Sequence, residues 1–565
     1  MALIAVDPFT VEIIKNSLVA IGDEMFYALQ RTSKSTIIYE TLDFGVAITD
    51  AQGRLVAQGN GVPLFIGTLD AAVNAVRERF AASGSLHPGD IVVTNDPYGG
   101  GGTHLSDVSL IMPIYFRGEL IAYVGNKAHW TEVGGKDPGS WTTDATEVYQ
   151  EGLQFPNIKL FIEGKPDEAL LDLIAANVRL PDMTLGDMWA GVAALRVGER
   201  RFLDLCEKYG RDTVLTAIES LLDYGETMAR QELAKLPKGT FEAEDWIDDD
   251  GIGNGPFPVR VKVTISDDEF VADFTGSHPQ VPGPINNTRT GLTSGVRAVF
   301  KALTNPEIPA NGGSFRPVRT ICPDGTVFTA KRPAPVSTYW ETMLYATDLI
   351  WKALAPHVPN RLPAGHMLSV CGTVLAGLHP DTGDLFLLVE PLVGGWGAGH
   401  DKDGESGQFC VGDGETYNIP IEITETRYGV TVDQYAFHNE DGGAGEYRGG
   451  KGVVLDYRAV GEEVFLTGTF GRHKFMPWGL NGGHDGSPNS ITVIRKNGLV
   501  EGPFGKVARL RLAKDDVARL VTATGGGYGD PRRRPPAKVA SDVRDGYITA
   551  EQAIRFYGQS GKNGP

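Results

Sequence analysis

The stretch GGGGTHLSDVSLIMPIYFRGELIAYVGNKAHW, residues 99–130, holds His104 and Asp107 near one end and His129 at the other. Between them the chain alternates as two strands around Arg117-Gly118, a dipeptide suited to a two-residue hairpin loop. If Phe116 pairs with Glu119, the same register carried back sets His129 opposite Ser106, between His104 and Asp107. Directly opposed Cβ atoms lie about 5 Å apart, and near-diagonal ones stay within reach of long side chains. Two imidazoles and a carboxylate would thus converge at the open end of one hairpin. That donor set suits one divalent transition ion, Zn, Mn or Fe, and leaves a position for water or substrate. An ion so placed would lower the pKa of water and polarise a substrate oxygen. The same residues also suit a plain structural use, as a loop histidine, a turn-capping aspartate and a half-buried strand histidine.

Other side chains are candidates for the same chemistry. Asp43, before a second alternating segment, could add a carboxylate or simply bond backbone at a strand end. Glu132 and Asp137, just past His129, are candidates for a general base or for support of the ligands, or are solvated loop acids. His366, His400, His438 and His473 occur singly and read as structural. The glycine clusters GGWGAG, GGAGEYRGGKG and GGGYGDP match neither G-x-x-x-x-G-K-[ST] nor the dinucleotide fingerprint, so they read as turn-forming. No G-x-S-x-G elbow is present, and the cysteines carry no local Cys–His signature.

The elements that must position these residues follow from periodicity. Apolar residues at helical spacing from Val11 to Leu29 predict a core-facing helix over 8–33. DFGVAITDAQGRLVAQG reads as a hairpin with Asp43 at its start, GTLDAAVNAVRERFAASG as a helix, and DIVVTNDP as a strand. Residues 165–236 are mostly helical, and PKGTFEAEDWIDDDGIGNGPFP reads as a boundary into further strands. Helices through TSGVRAVFKALT and ETMLYATDLIWKALA follow, then Gly-punctuated alternating segments, then a short helix that Thr549 can cap. The expected fold is α+β, large and multi-lobed, with antiparallel hairpins around a metal site. Its expected regions are 1–240 (metal site and helices), 241–384 (mixed) and 385–565 (β-rich, with a terminal helix).

With 565 residues, two to four such lobes are expected. Hydrophobic residues at 41% and charged residues at 22% supply an ordinary globular core. The 72 glycines are about twice the average usage, which calls for many turns and close backbone approaches. A formal charge of −19 repels phosphate backbones and anionic lipid, so nucleic acid and membrane are excluded as partners. Four widely spaced cysteines read as reduced thiols. With no signal-peptide pattern and no apolar run near 20 residues, the expected location is the cytoplasm.

Taken in order, DPFTVEIIKNSL, NDPYGGGGTHLSDV, AHWTEVGG, EGLQFPNIKL, ANVRLPDMTLGDMWAGVAALRVGERR, NIPIEITETRYGV and GGGYGDP resemble the hydantoinase B/oxoprolinase family from residue 7 to about 558. The resemblance implies a metal site on Asp43, His104, Asp107 and His129. Departures lie close by: Gly45 stands where serine is usual, Ser106 where proline is, and Trp130 and Glu132 replace a second histidine and an aspartate. It also implies an A-type partner that binds ATP with Mg and phosphorylates a substrate carbonyl oxygen. The two would assemble as a heterotetramer or larger. The expected function is that of the metal-bearing, B-type component of an ATP-dependent cyclic amide hydrolase. A ketone carboxylase component is the alternative, and a non-catalytic scaffold a third.

Overall fold

Seven strands in the N-terminal half form one antiparallel sheet: β1 (Phe44–Asp50), β2 (Leu55–Gly61), β3 (Ile91–Thr94), β4 (Asp107–Phe116), β5 (Glu119–His129), β6 (Ile158–Ile162) and β7 (Lys165–Pro166). Their spatial order is β2-β1-β5-β4-β3-β6-β7. The structure is a computed structural model that describes residues 6–81, 83–414 and 416–559.

The β4–β5 hairpin turns where expected, but its register is not the simple one. Arg117 and Gly118 both take positive φ, 52° and 86°, as a tight primed turn requires. Phe116 faces Glu119 and Tyr115 faces Leu120, but Ile114 faces Ala122, which leaves Ile121 as an extra residue. That bulge shifts every later pair by one, so His129 stands opposite Asp107 rather than Ser106. On the other side of β5, Phe44 pairs with Ala128, and the His129 N–H donates to the Asp43 carbonyl at 3.0 Å. Asp43, His129 and Asp107 are therefore neighbours in a row across three strand ends.

Both faces of this sheet are covered. Helix α1 (Pro8–Thr32) starts at Asp7, whose carboxylate accepts from the Phe9 and Thr10 amides. Its buried side, including Ile14, Leu18, Met25 and Leu29, packs on the face that carries Phe44, Val46 and Val124. Phe26 stacks on Phe44 with ring centroids 4.4 Å apart. At Gly22 the helix touches strand backbone directly: a Cβ there would sit 2.7 Å from the Gly59 nitrogen. After the short helix α2 (Thr36–Tyr39), helix α3 (Pro63–Val76) covers the opposite face, packing Leu69 and Val73 against Ala47, Ile111 and Tyr123. The two-residue repeat of a strand puts Asp43, Asp107 and His129 on that α3 side.

Helices α4 (Glu168–Asn177), α5 (Pro181–Tyr209) and α6 (Arg211–Leu233) fill the expected helical stretch. Residues 239–247, within the segment read as a boundary, instead form a strand that pairs along its length with Phe257–Ile265. Alternating burial along Gly239–Ile247 explains this, although its many acidic residues masked the pattern. Among the described residues, three further sheets, of four, four and five strands, complete a mixed α+β architecture whose strand pairings are antiparallel except for that of Phe270–Asp273 with Val318–Ile321. Buried apolar residues from Ile14 to Ala523 form one connected core. Thr549 caps the last helix, Ala550–Tyr557, in a reciprocal box with Gln552.

The three glycine clusters meet one another. Gly395 donates to the Ala523 carbonyl at 2.9 Å, Gly450 to Trp396 at 2.8 Å and Gly525 to Gly450 at 3.0 Å, so backbone packs on backbone where side chains would not fit. Among the described residues no helix is long and apolar enough to cross a membrane.

Because Gly22 sets the distance between α1 and the sheet, Gly22→Val should lower unfolding stability by about 1–3 kcal/mol through overpacking. A fall in the urea midpoint at unchanged slope is the expected reading; an unchanged midpoint would mean that the contact is slack.

Candidate metal centre

Donor atoms of His104, Asp107 and His129 all lie within 4.8 Å of one another, and the three side chains are buried. The loop before β4 brings His104 to the pair on the strand ends. His104 Nδ1 lies 3.0 Å from the Ser337 carbonyl, so that nitrogen carries the proton and the ring's Nε2 faces Asp107 Oδ1 at 2.9 Å. In a neutral ring, Nε2 presents a lone pair to the lone pairs of a carboxylate, an arrangement that a cation between or beside them relieves. The other carboxylate oxygen accepts from Thr103 Oγ1 at 2.6 Å and from the Tyr339 hydroxyl at 2.9 Å. His129 Nδ1 is buried with no protein partner. An orphaned imidazole nitrogen beside an anion and a second imidazole is what a divalent transition ion fits.

The electrostatics agree with a site that is ready to ligate. Burial alone would push the Asp107 carboxyl up; positive charge beside it, on His104 above all and then on His129 and Lys127, pulls it well below the usual carboxylate range, and with both rings neutral a metal cation would supply that part. Burial, and then the nearby His104, push His129 down to about 3, which keeps its ring neutral and one of its nitrogens free to ligate. Lys127, one strand repeat from His129, is buried, donates to the Gly101 carbonyl at 3.1 Å and is lowered by burial to about 8.

These residues open onto a cavity with about 50 Å³ of free volume, enough for an ion and a few waters. Its wall is otherwise apolar, with Ile37, Leu64, Phe65, Trp141, Trp340 and Met343 prominent. Trp141 and Trp340 meet edge to face, and the indole nitrogens of both are buried without a partner.

Asp43 and Asp413 also line the cavity. Each keeps some exposed surface. Desolvation, reinforced by Asp107 and Asp413, raises the Asp43 carboxyl well above its ordinary value. Desolvation also raises Asp413, to about 6, against the opposing effect of the Cys410 thiol that donates to it.

Glu132 and Asp137 are not among the residues on this wall. Glu132 accepts from the Gly134 and Gly139 amides and from Arg179 at 2.7 Å, which ties both its oxygens into the turn after β5. Asp137 is buried, with Lys136 Nζ at 3.5 Å and Arg509 Nε at 3.7 Å, at the start of the turn Pro138–Ser140. Of the other histidines, buried His366 accepts from the Val411 amide and His438 sits on the Thr522 carbonyl.

Asp413, Tyr339 and Ser337 carry no mark in the sequence, because each reaches the site from a distant part of the chain, and Glu151, 22 residues past His129, acts only through the Val336 and Ser337 amides. Glu151 Oε1 accepts from the Val336 and Ser337 amides, both at 2.8 Å, and so fixes the backbone whose carbonyl orients His104. The only signal for it was its place in EGLQFPNIKL, a segment that carried the family resemblance without a role. Outer partners of metal ligands typically contribute about 10–100-fold in metal affinity. Glu151→Leu should therefore weaken Zn²⁺ binding by that factor in a chelator competition, while Glu151→Gln, which keeps the acceptor, should stay within a few fold of the parent. Equal affinities for the Leu variant and the parent would remove Glu151 from this role.

The chain matches the model of the family described as hydantoinase B/oxoprolinase over residues 7–531. It is 33% identical to the B component of a putative D-/L-hydantoinase from a Pseudomonas strain, covering 98% of this chain and 95% of the other. It is 30% identical to the beta chain of the caprolactamase from Pseudomonas jessenii, covering 98% and 96%. The crystal structure of the ATP-dependent caprolactamase from that organism superposes with a TM-score of 0.91 at 30% identity, covering 98% of this chain and 96% of the matched one. A nucleotide-free acetone carboxylase structure superposes equally well, TM-score 0.91, at 19% identity over 98% and 79%, which shows the shared fold.

Proposed function

The chain belongs to the hydantoinase B/oxoprolinase family, and from that premise we propose that it is the metal-bearing, B-type component of an ATP-dependent enzyme that hydrolyses a cyclic amide. Hydantoins, lactams and related imides are the substrate class. What carries the reading is the buried group His104, Asp107 and His129, with Asp43 on the same cavity wall. Relatives matched along their whole length are named as components of a hydantoinase and of a caprolactamase. An A-type partner would bind ATP and Mg and phosphorylate the ring carbonyl oxygen, since this chain has no G-x-x-x-x-G-K-[ST] phosphate loop. The pair would form a heterotetramer or larger.

His104, Asp107, His129 and Asp43 would hold one divalent transition ion, Zn, Mn or Fe, which when bound supplies Lewis acidity and lowers the pKa of water. The rest of the work falls to the chain. The Ser337 carbonyl keeps the proton of His104 on Nδ1, and Thr103 and Tyr339 hold Asp107 in one rotamer. The aromatic and aliphatic wall would keep bulk water from the ion and the water it activates. Asp413, outside the proposed ligand set and raised by desolvation to about 6, is the group on that wall that would take up a proton from attacking water. Glu132, tied to Arg179 and two amides, serves the turn that follows His129.

An unactivated amide is a poor electrophile, and phosphorylation of its oxygen provides a leaving group. In the whole reaction the ring C–N bond breaks, the former carbonyl oxygen departs in phosphate, and both oxygens of the product carboxylate come from water. The test is an assay of the chain with its A-type partner, ATP and a panel of cyclic amides and ketones in labelled bicarbonate. The expected products are an unlabelled open-chain amino acid and one phosphate per ring opened. His104→Ala should reduce turnover by more than the roughly 100-fold that loss of a ligand's outer partner costs. Label in the product would instead indicate a carboxylase, and full turnover by the His104 variant a scaffold.

A further inference from the structure

Trp141 and Trp340 both line the cavity, and the indole N–H of each is buried without an acceptor among the described residues. A donor left unpaired out of water is costly, and native structures avoid it unless a water, an ion or a ligand takes the bond. An aromatic face is only a weak substitute. Elsewhere the chain pairs such groups: Trp351 donates to the Pro363 carbonyl at 2.8 Å and Trp478 to Asp348 at 3.0 Å.

The hydroxyl donors on the wall are already committed. Tyr339 donates to Asp107 at 2.9 Å and Thr416 to the Asp413 carbonyl at 2.7 Å. Among the described residues no lysine or arginine lines the cavity. Apart from the ligand imidazoles, the indole pair is therefore what the wall offers a newly arrived acceptor.

Both rings are set by the segments that set the ligands. Trp340 follows Tyr339, which holds Asp107, and its ring lies 5.3 Å from that of His104, edge to face. Trp141 follows the turn Pro138–Ser140, and the Thr142 amide donates at 2.9 Å to the hydroxyl of Ser337, the residue whose carbonyl orients His104. The Trp141 ring lies 6.3 Å from that of His129. A Cβ at Gly372 would stand 1.9 Å from Trp141 Cη2, so the strand Gly372–Leu378 begins with the residue that leaves room for the indole. The two indoles meet at 85° with centroids 4.6 Å apart. The free volume beside them, about 50 Å³, admits an ion and a few waters, hence a single oxygen atom rather than an organic group.

We propose that Trp141 and Trp340 are a donor pair for the oxygen of the attacking water at the open position of the ion. This rests on the metal-bearing reading of the chain and adds the groups that meet the charge on that oxygen. An indole donates and cannot accept, so two of them favour the anionic form of a shared partner. Preformed donors of this kind, shielded from water, are among the stronger means of lowering a barrier.

Fluoride, a single-atom anion that accepts hydrogen bonds, serves as the probe in place of that oxygen. The full chain, loaded with Zn²⁺ and labelled with ¹⁵N in its eight tryptophans, is titrated with fluoride while the indole N–H resonances are followed. Two resonances should move together, and they should be those absent from Trp141→Phe and Trp340→Phe. Neither should move in the metal-free chain. Each Phe variant, which keeps a ring but no donor, should bind fluoride at least about 10-fold more weakly, with Zn²⁺ affinity in a chelator competition within a few fold of the parent. Thermal unfolding confirms that the variants fold; if either does not, the titration of the parent decides alone. Fluoride that leaves both indoles unmoved, moves only one, or binds the variants as tightly as the parent would overturn the donor pair. A parallel loss of Zn²⁺ affinity in the variants would do the same, by making the tryptophans structural supports. Zn²⁺ that fails to bind the parent would sink the metal reading of the function as well, whereas bound Zn²⁺ with unmoved indoles leaves that reading in place.

Discussion

A negative charge on Asp107, out of reach of water, is the constraint around which this part of the molecule is organised. Desolvating an ionised carboxylate costs several kcal/mol unless nearby groups compensate it. Here Thr103 and Tyr339 donate to one oxygen and the buried Lys127 ammonium lies nearby, while the other oxygen meets the lone pair of an imidazole and is left to a cation. Each helper comes from a different piece of backbone. The loop after β3, the end of β5 and the start of the helix Trp340–Leu354 must all be in place before the charge is tolerable. The same demand explains Glu151, which touches none of the ligands but pins the peptide that orients His104.

Covering both faces of the sheet makes this possible. With α1 and α5 on one side and α3 on the other, the strands read as nearly continuous apolar runs, and the polar residues that interrupt them stand out. The glycine clusters act at the other end of the chain, where backbone packed on backbone leaves the C-terminal strands and loops close together. Gly372 leaves similar room at the cavity itself, for the Trp141 indole.

Much of the fold was legible because its signals are local. The hairpin loop, the long helices, the Thr549 cap and the alternating strands depend on neighbours a few residues apart. The buried cluster was legible for a related reason, since His104, Asp107 and His129 share a single hairpin. The register was wrong by one residue because a bulge at Ile121 has no mark in a run of apolar side chains. The strand Gly239–Ile247 was missed because its outward face is acidic and imitates a linker. Tyr339, Ser337 and Asp413 lie more than 200 residues from His129, and nothing in spacing announces a contact of that range. Glu132 and Asp137 stand close to His129 in sequence, and hydrogen bonds and ion pairs tie them into the turn after β5, apart from the residues that line the cavity.

The row formed by Asp43, His129 and Asp107 has a mechanical meaning. Adjacent strands are held about 4.8 Å apart by their ladder of hydrogen bonds, and here the ladder includes a bond from His129 itself to the Asp43 carbonyl. Three of the four proposed ligands therefore stand on a ruled surface rather than on flexible loops, and the gap between them cannot widen without unzipping strands. An ion held as proposed would have to suit the gauge of the sheet. An ion of larger radius would have to be accommodated by His104 alone, the one member carried on a loop.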